Sequence, residues 1–156
     1  MNTDQINRLL VKNPQTRNSY IGCFAADCIP TSMDFYPHCM CVNSAPASDV
    51  GEHWLAIYSH TPQKLDYFDS LGEWPPTSEH LQKFIGLYPD VQYSKVAVQN
   101  PLSAACGLHA CYFLLQLCRG RNFLQILHEL CDKWPNADQF VARYMRKHIF
   151  SANALG

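Results

Sequence analysis

The sequence has little charge of either sign, no long apolar run and no internal repeat. Twelve Lys and Arg stand against thirteen Asp and Glu in 156 residues, a formal net charge of −1. That balance excludes the strongly basic footprint of a dedicated nucleic-acid binder. The densest basic stretch, Arg143, Arg146, Lys147 and His148, reads as a solvated helix face. The longest apolar stretch, Ala110 to Leu115, is far short of a membrane span and fits a buried helix. Met1 is followed by polar residues and Asp4, without the charged start and apolar run of a signal peptide. An intracellular chain with no membrane association is expected. No low-complexity tract or linker interrupts it, so residues 1–156 are expected to form one domain, and a monomer.

What is present is apolar mass and thiols. Hydrophobic residues make up 47% and charged residues 16%, enough for a packed core and unlike a disordered chain. Eight cysteines occur, at 23, 28, 39, 41, 106, 111, 118 and 131. In a reducing compartment most of them serve as small buried hydrophobes. One alternative makes Cys23, Cys28, His38, Cys39 and Cys41 a zinc site in a non-catalytic interaction module. The single residue between Cys39 and Cys41 fits no familiar paired spacing, so no metal site is expected.

Periodicity gives a coarse map. A helix over residues 3–12, capped by Thr3, buries Ile6, Leu9 and Leu10 and stops at Asn13-Pro14. An irregular stretch with Gly22, Pro30 and Pro37 holds only brief extended pieces. His38 to Asn43 reads as a strand with Cys39 and Cys41 on one face. After a turn over Pro46 to Gly51, strands over His53 to Ser59 and Leu65 to Phe68 form a hairpin through Thr61-Pro62-Gln63. A helix capped by Thr77 or Ser78 runs to about Leu87, and a strand covers Val91 to Val98. Asn100-Pro101 breaks the chain. An apolar helix capped by Ser103 then runs from about Ala104 to Leu117, followed by helices over 122–133 and 136–148. A helix, then mostly strands, then mostly helices indicates an α+β architecture.

Four side chains in this map suit nucleophilic chemistry. Cys106 stands at a helix start, where unpaired N–H groups and the dipole favour a thiolate, the reactive form of cysteine. Gly107 beside it leaves room for a substrate backbone. His53, at a strand start after the Gly51-Glu52 turn, can act as general base, whereas His109 lies deeper in the apolar helix and suits the core. Asp69 or Asp66 can orient the imidazole, but on a strand they face opposite sides, so only one serves. Gln99 can donate to an oxyanion beside the Cys106 N–H. Each also has a plainer reading, as buried thiol, surface imidazole, turn carboxylate or strand-end amide. The set is more telling than any member.

The segments Gly51-Glu52-His53-Trp54, Tyr67-Phe68-Asp69-Ser70-Leu71-Gly72 and Val98-Gln99-Asn100-Pro101-Leu102-Ser103-Ala104-Ala105-Cys106-Gly107-Leu108 resemble the adenovirus protease (adenain) family of cysteine peptidases. That family shares a clan with the SUMO-specific proteases. The stretch Pro101 to Gly107 is the most specific, and the resemblance covers roughly residues 18 to 118. It implies a mixed central sheet packed against helices, with a catalytic Cys106 at the N-terminus of the central helix. It assigns His53 as base, Asp69 as orienting acid, Gln99 to the oxyanion hole and Cys106 as nucleophile. Trp54, next to that base, can wall a narrow substrate channel for small residues, with Gly107 beside the sulfur, or serve as a core aromatic. The activity implied is a thiol endopeptidase that cleaves viral or virus-derived precursor proteins near glycine during particle maturation. Host cell, nucleus and virion are its expected locations. An isopeptidase acting on ubiquitin or SUMO conjugates is the alternative within the clan. No cofactor is needed for the chemistry. The family's DNA and activating peptide are candidate activators, but the near-neutral charge gives DNA little support. The family's peptide-tethering cysteine has no counterpart between Leu87 and Tyr93, so an activating peptide would bind non-covalently. Asp69 stands where adenain has glutamate, and this chain is the shorter.

Overall fold

The computed structural model describes residues 1–51 and 53–154, with side chains up to 148; Glu52 of the expected turn lies outside the described residues. Helix α1 (Thr3–Lys12) opens the chain. Its cap is Asn2, not Thr3. The Asn2 side chain accepts from the Gln5 N–H while Gln5 Oε1 accepts from the Asn2 N–H, a reciprocal pair that satisfies two orphan donors. Strands β1 (Tyr20–Ala25), β2 (His38–Asn43), β3 (Trp54–Thr61) and β4 (Lys64–Phe68) follow. Then come α2 (Glu79–Ile85), β5 (Asp90–Tyr93), α3 (Cys106–Cys118), α4 (Phe123–Asp132) and α5 (Ala137–Ala154). Ser78 caps α2 and Asn122 caps α4, each accepting from a first-turn N–H.

The five strands form one mixed sheet in the order β1-β2-β3-β4-β5. The inner pairs, β2 with β3 and β3 with β4, are antiparallel; the outer pairs, β1 with β2 and β4 with β5, are parallel. Parallel neighbours need crossovers, which residues 26–37 and the α2 segment supply. The sheet is apolar on both faces, so strands such as β2 are buried throughout. Alternation still sorts their side chains. Cys39 and Cys41 join the core beneath α1, α3, α4 and α5, while Met40 and Val42 join a second core with Leu81 and Phe84 of α2.

Helix α3 lies at the centre of the first core, with Cys111, Phe113, Leu114 and Leu115 completely buried. Phe113 stacks on Phe68 of β4 with centroids 3.9 Å apart. A helix apolar on all sides is one enclosed on all sides. Its placement fixes the orientation of its first residue, Cys106, against the end of β3. Among the described residues, no helix is long and apolar enough to cross a membrane.

Candidate active site

Residues 53, 69, 99 and 106 come from four separate stretches of chain, and the sheet topology brings these stretches to one edge. His53 immediately precedes β3. Its carbonyl accepts from the Ser44 N–H at 2.9 Å, which carries the β2–β3 pairing one step further and fixes the backbone under the imidazole. Asp69 immediately follows β4, the antiparallel neighbour, so both side chains arrive at the same end of the hairpin. His53 Nε2–H donates to Asp69 Oδ1 at 2.6 Å, in the short range of charge-assisted bonds. The same oxygen accepts from the Leu71 N–H at 2.8 Å, holding the buried carboxylate in a tight turn. Gly72 closes that turn at φ +69°, and a Cβ there would sit 2.6 Å from the Val96 carbonyl carbon. Glycine is thus needed both for conformation and for clearance.

The other candidate carboxylate, Asp66, is engaged elsewhere: its Oδ2 accepts from His60 Nε2 at 2.7 Å. Its side chain leaves the strand on the face opposite that of Asp69, and so finds a different histidine. His109 is fully buried, as its position in the apolar helix suggested, and pairs through Nε2 with Asp138 of α5 at 2.8 Å.

Gln99 does not end a strand. Strand β5 stops at Tyr93, and the segment beyond it is held by a single carbonyl: Ser70 O accepts from both the Val98 and Gln99 N–H groups, at 2.9 and 3.0 Å. Ser70 Oγ–H donates to Gln99 Oε1 at 2.6 Å, and Gln99 Nε2–H donates to the Ser103 carbonyl at 2.9 Å. These bonds set which end of the amide is which. One Nε2 hydrogen is left for another acceptor. Ser70 and this clamp were not anticipated; a serine next to the candidate acid was the only signal in the sequence.

Helix α3 starts at Cys106, with Ala105 as its cap and no side-chain capping bond, in place of the expected Ser103. Ser103 instead shapes the preceding turn through its bonds to Gln99 and to the Ala105 N–H. The first-turn N–H groups of the helix therefore remain without a side-chain cap where a thiolate or oxyanion would sit. Burial pushes the Cys106 thiol up, but hydrogen bonds from the His53 imidazole and from the Trp54 and Gly107 N–H groups outweigh it, and the net direction is down. For His53, burial pulls the imidazole down, and the bonds to Asp69 and Cys106 reverse this and raise it to about 9. With Nε2 engaged by Asp69, the bond to the thiol falls to Nδ1. Both shifts favour the thiolate and imidazolium forms of the pair.

A groove of about 420 Å3 is lined by His53, Asp69, Leu71 and Glu73, and a second of about 430 Å3 by Met1, Asn43, Gly51 and Trp54. The space beside Gly107 is narrow. A Cβ there would lie 3.0 Å from Met1 Cβ and 3.3 Å from Trp54 Cδ1, and the Trp54 indole N–H donates to the Met1 carbonyl at 3.0 Å. The chain's own first residue occupies the clearance that glycine provides. The side chains of the zinc alternative do not converge on one point: Cys23 bonds to Cys41, Cys39 faces Cys118, His38 Nδ1 meets the Phe35 carbonyl, and Cys28 is exposed. Among the described residues no three such side chains converge as a metal site.

No family model matches the chain. It is 34% identical to the protease of Bovine adenovirus C serotype 10, over 49% of this chain and 46% of that protein. The chain thus spans about half the length of the curated relative it matches. The central domain of an uncharacterized Legionella pneumophila protein superposes with a TM-score of 0.56 at 16% identity, covering 99% of this chain and 98% of that one. This second likeness concerns the fold alone. The crystal structure of the ASFV protease aligns with a TM-score of 0.48 at 13% identity, over 77% of this chain and 59% of that one. The resemblance carried by the motifs therefore stands: this α+β chain, with Cys106 opening its central helix, is similar to the adenovirus protease.

Proposed function

We propose that this protein is a cysteine peptidase in which Cys106 is the nucleophile and His53 the general base. The observation that carries the reading is the imidazole held between Asp69, at 2.6 Å, and the Cys106 thiol at a helix N-terminus. In the proposed cycle the Cys106 thiolate attacks a scissile carbonyl. The Cys106 N–H and the free Nε2 hydrogen of Gln99 stabilise the oxyanion. His53 protonates the leaving amine, then activates the water that hydrolyses the thioester. Asp69 keeps the imidazolium oriented throughout.

The likeness to an adenovirus protease favours viral or virus-derived precursor proteins, cleaved near glycine, as substrates. Protein substrates met inside a host cell or an assembling particle are the corresponding partners. A screen of glycine-containing fluorogenic peptides, beside ubiquitin and SUMO conjugates, tests this reading. Cleavage of the peptides, lost in Cys106→Ala, is expected. Undiminished cleavage by Cys106→Ala would overturn the assignment, and hydrolysis confined to the modifier conjugates would overturn the substrate class.

A further inference from the structure

Five of the eight thiols lie where β1, β2 and α3 meet, and one pair has the makings of a reactive site. Cys39 of β2 and Cys118, the last residue of α3, are 79 residues apart in sequence, yet their sulfurs are 4.0 Å apart. Both are free thiols. Cys39 is completely buried, whereas Cys118 is half-buried at a helix end where Arg119 and Gly120 are exposed, so a small oxidant reaches one sulfur and not the other. A disulfide needs the sulfurs at about 2.05 Å, an approach that side-chain rotation at an exposed helix end can supply. We propose that Cys39 and Cys118 form a peroxide-responsive dithiol site that closes to a disulfide joining β2 to the end of α3.

The division of labour follows from the surroundings. The hydrogen bond from Cys39 holds the Cys118 thiol below its ordinary value against the upward push of burial. Cys39 is held well above its own by that same bond and by burial. Cys118 is the attacking thiolate and Cys39 the resolving thiol. The Cys118 sulfur attacks one oxygen of hydrogen peroxide, the O–O bond breaks, and hydroxide leaves with a proton as water, giving a sulfenic acid. The Cys39 sulfur then attacks Cys118, the S–O bond breaks, and the Cys39 proton departs with the oxygen as a second water. Two thiols and one peroxide give one disulfide and two waters; the sulfurs lose the two electrons that the peroxide gains. Cys106 is at the far end of the same helix, roughly 18 Å away at the rise of an α-helix. The bridge fastens the helix without consuming its candidate nucleophile. This site depends on no reading of the protein's activity.

Peptide mapping after one equivalent of hydrogen peroxide, in wild type and in a Cys106→Ala background, tests it. A Cys39–Cys118 linked peptide, removed by dithiothreitol, is expected, with the melting temperature of the oxidised protein raised on the order of 10 °C by closure of so long a loop. Cys39→Ala and Cys118→Ala should each abolish both effects, and the wild-type map stands even if a variant does not fold. The proposal is overturned if Cys39 and Cys118 both remain alkylatable, if Cys118 proceeds to sulfinic acid without a bridge, or if it pairs with a different cysteine.

Discussion

Replacing Asp69 with asparagine keeps the shape of the side chain and removes its charge. His53 is held at about 9 against an ordinary 6.5 even though burial, the largest single influence, pulls it down. That elevation corresponds to about 3 kcal/mol of imidazolium stabilisation. It is supplied first by the Asp69 bond and then by the Cys106 bond. Loss of the larger share, about 2 kcal/mol, should lower kcat/KM roughly 10- to 100-fold. His53 must be protonated to release the amine, so activity should fall as pH rises through about 9 in the wild type. In the variant the alkaline limb should move toward neutral pH. The sign for stability agrees. The folded value of His53 is above its unfolded one, so its contribution is complete below 6.5 and is lost as pH rises through about 9. The assay is a pH profile of kcat/KM on a glycine-containing peptide, with melting temperatures measured at the same pH values. An alkaline limb still near 9 in Asp69→Asn, with an unchanged rate, would refute the role given to the carboxylate.

Three further outcomes follow from the same geometry. Gln99→Ala should reduce kcat about 100-fold with little change in KM, since an oxyanion donor acts only in the transition state; steady-state kinetics on the same peptide will separate the two constants. Phe113→Ala removes the ring stacked on Phe68 in the buried centre of the molecule and should cost about 3 to 5 kcal/mol, readable by urea denaturation. His109 is pushed below its ordinary 6.5 by burial, against the pull of Asp138. A histidine kept neutral in the fold contributes stability above its unfolded value and loses it as pH falls below that, so His109→Gln should flatten the acid side of a melting-temperature profile, beginning just below pH 6.5.

The hairpin that carries the candidate base and acid was legible because its strands are dense in strand-forming residues, Trp54, Leu55, Ile57, Tyr58, Leu65, Tyr67 and Phe68, and its turn is short. Strand β1 was not legible, for physical reasons: Gly22 takes φ +138°, the register slips between Tyr20 and Gly22, and most of the strand is only half-buried. An irregular edge strand leaves little periodicity to read. Strand β5 looked longer than it is because Lys95 to Val98 continues its strand-like composition, but the Val96 N–H bonds to Ser94 Oγ and the Val98 N–H to the Ser70 carbonyl, not to a neighbouring strand. Composition does not reveal where a backbone N–H finds its partner. The cap of α3 was misplaced for a related reason. Ser103 is a good capping residue, but its carbonyl and hydroxyl serve the Gln99 turn instead. Between Asp66 and Asp69 residue spacing alone left a choice that the family resemblance resolved toward Asp69, and the Ser70 clamp, being long-range, left no local trace.

The register of that hairpin also determines where the chain tolerates length changes. Two histidine–carboxylate pairs, His53 with Asp69 and His60 with Asp66, are nested about one turn, Thr61 to Gln63. A residue inserted in the turn lengthens the loop and leaves both pairs facing one another. A residue inserted between Asp66 and Asp69 reverses the side of the sheet from which Asp69 emerges and parts it from His53. Insertions and deletions in related chains should therefore gather at the turn and be absent from the strand beyond it.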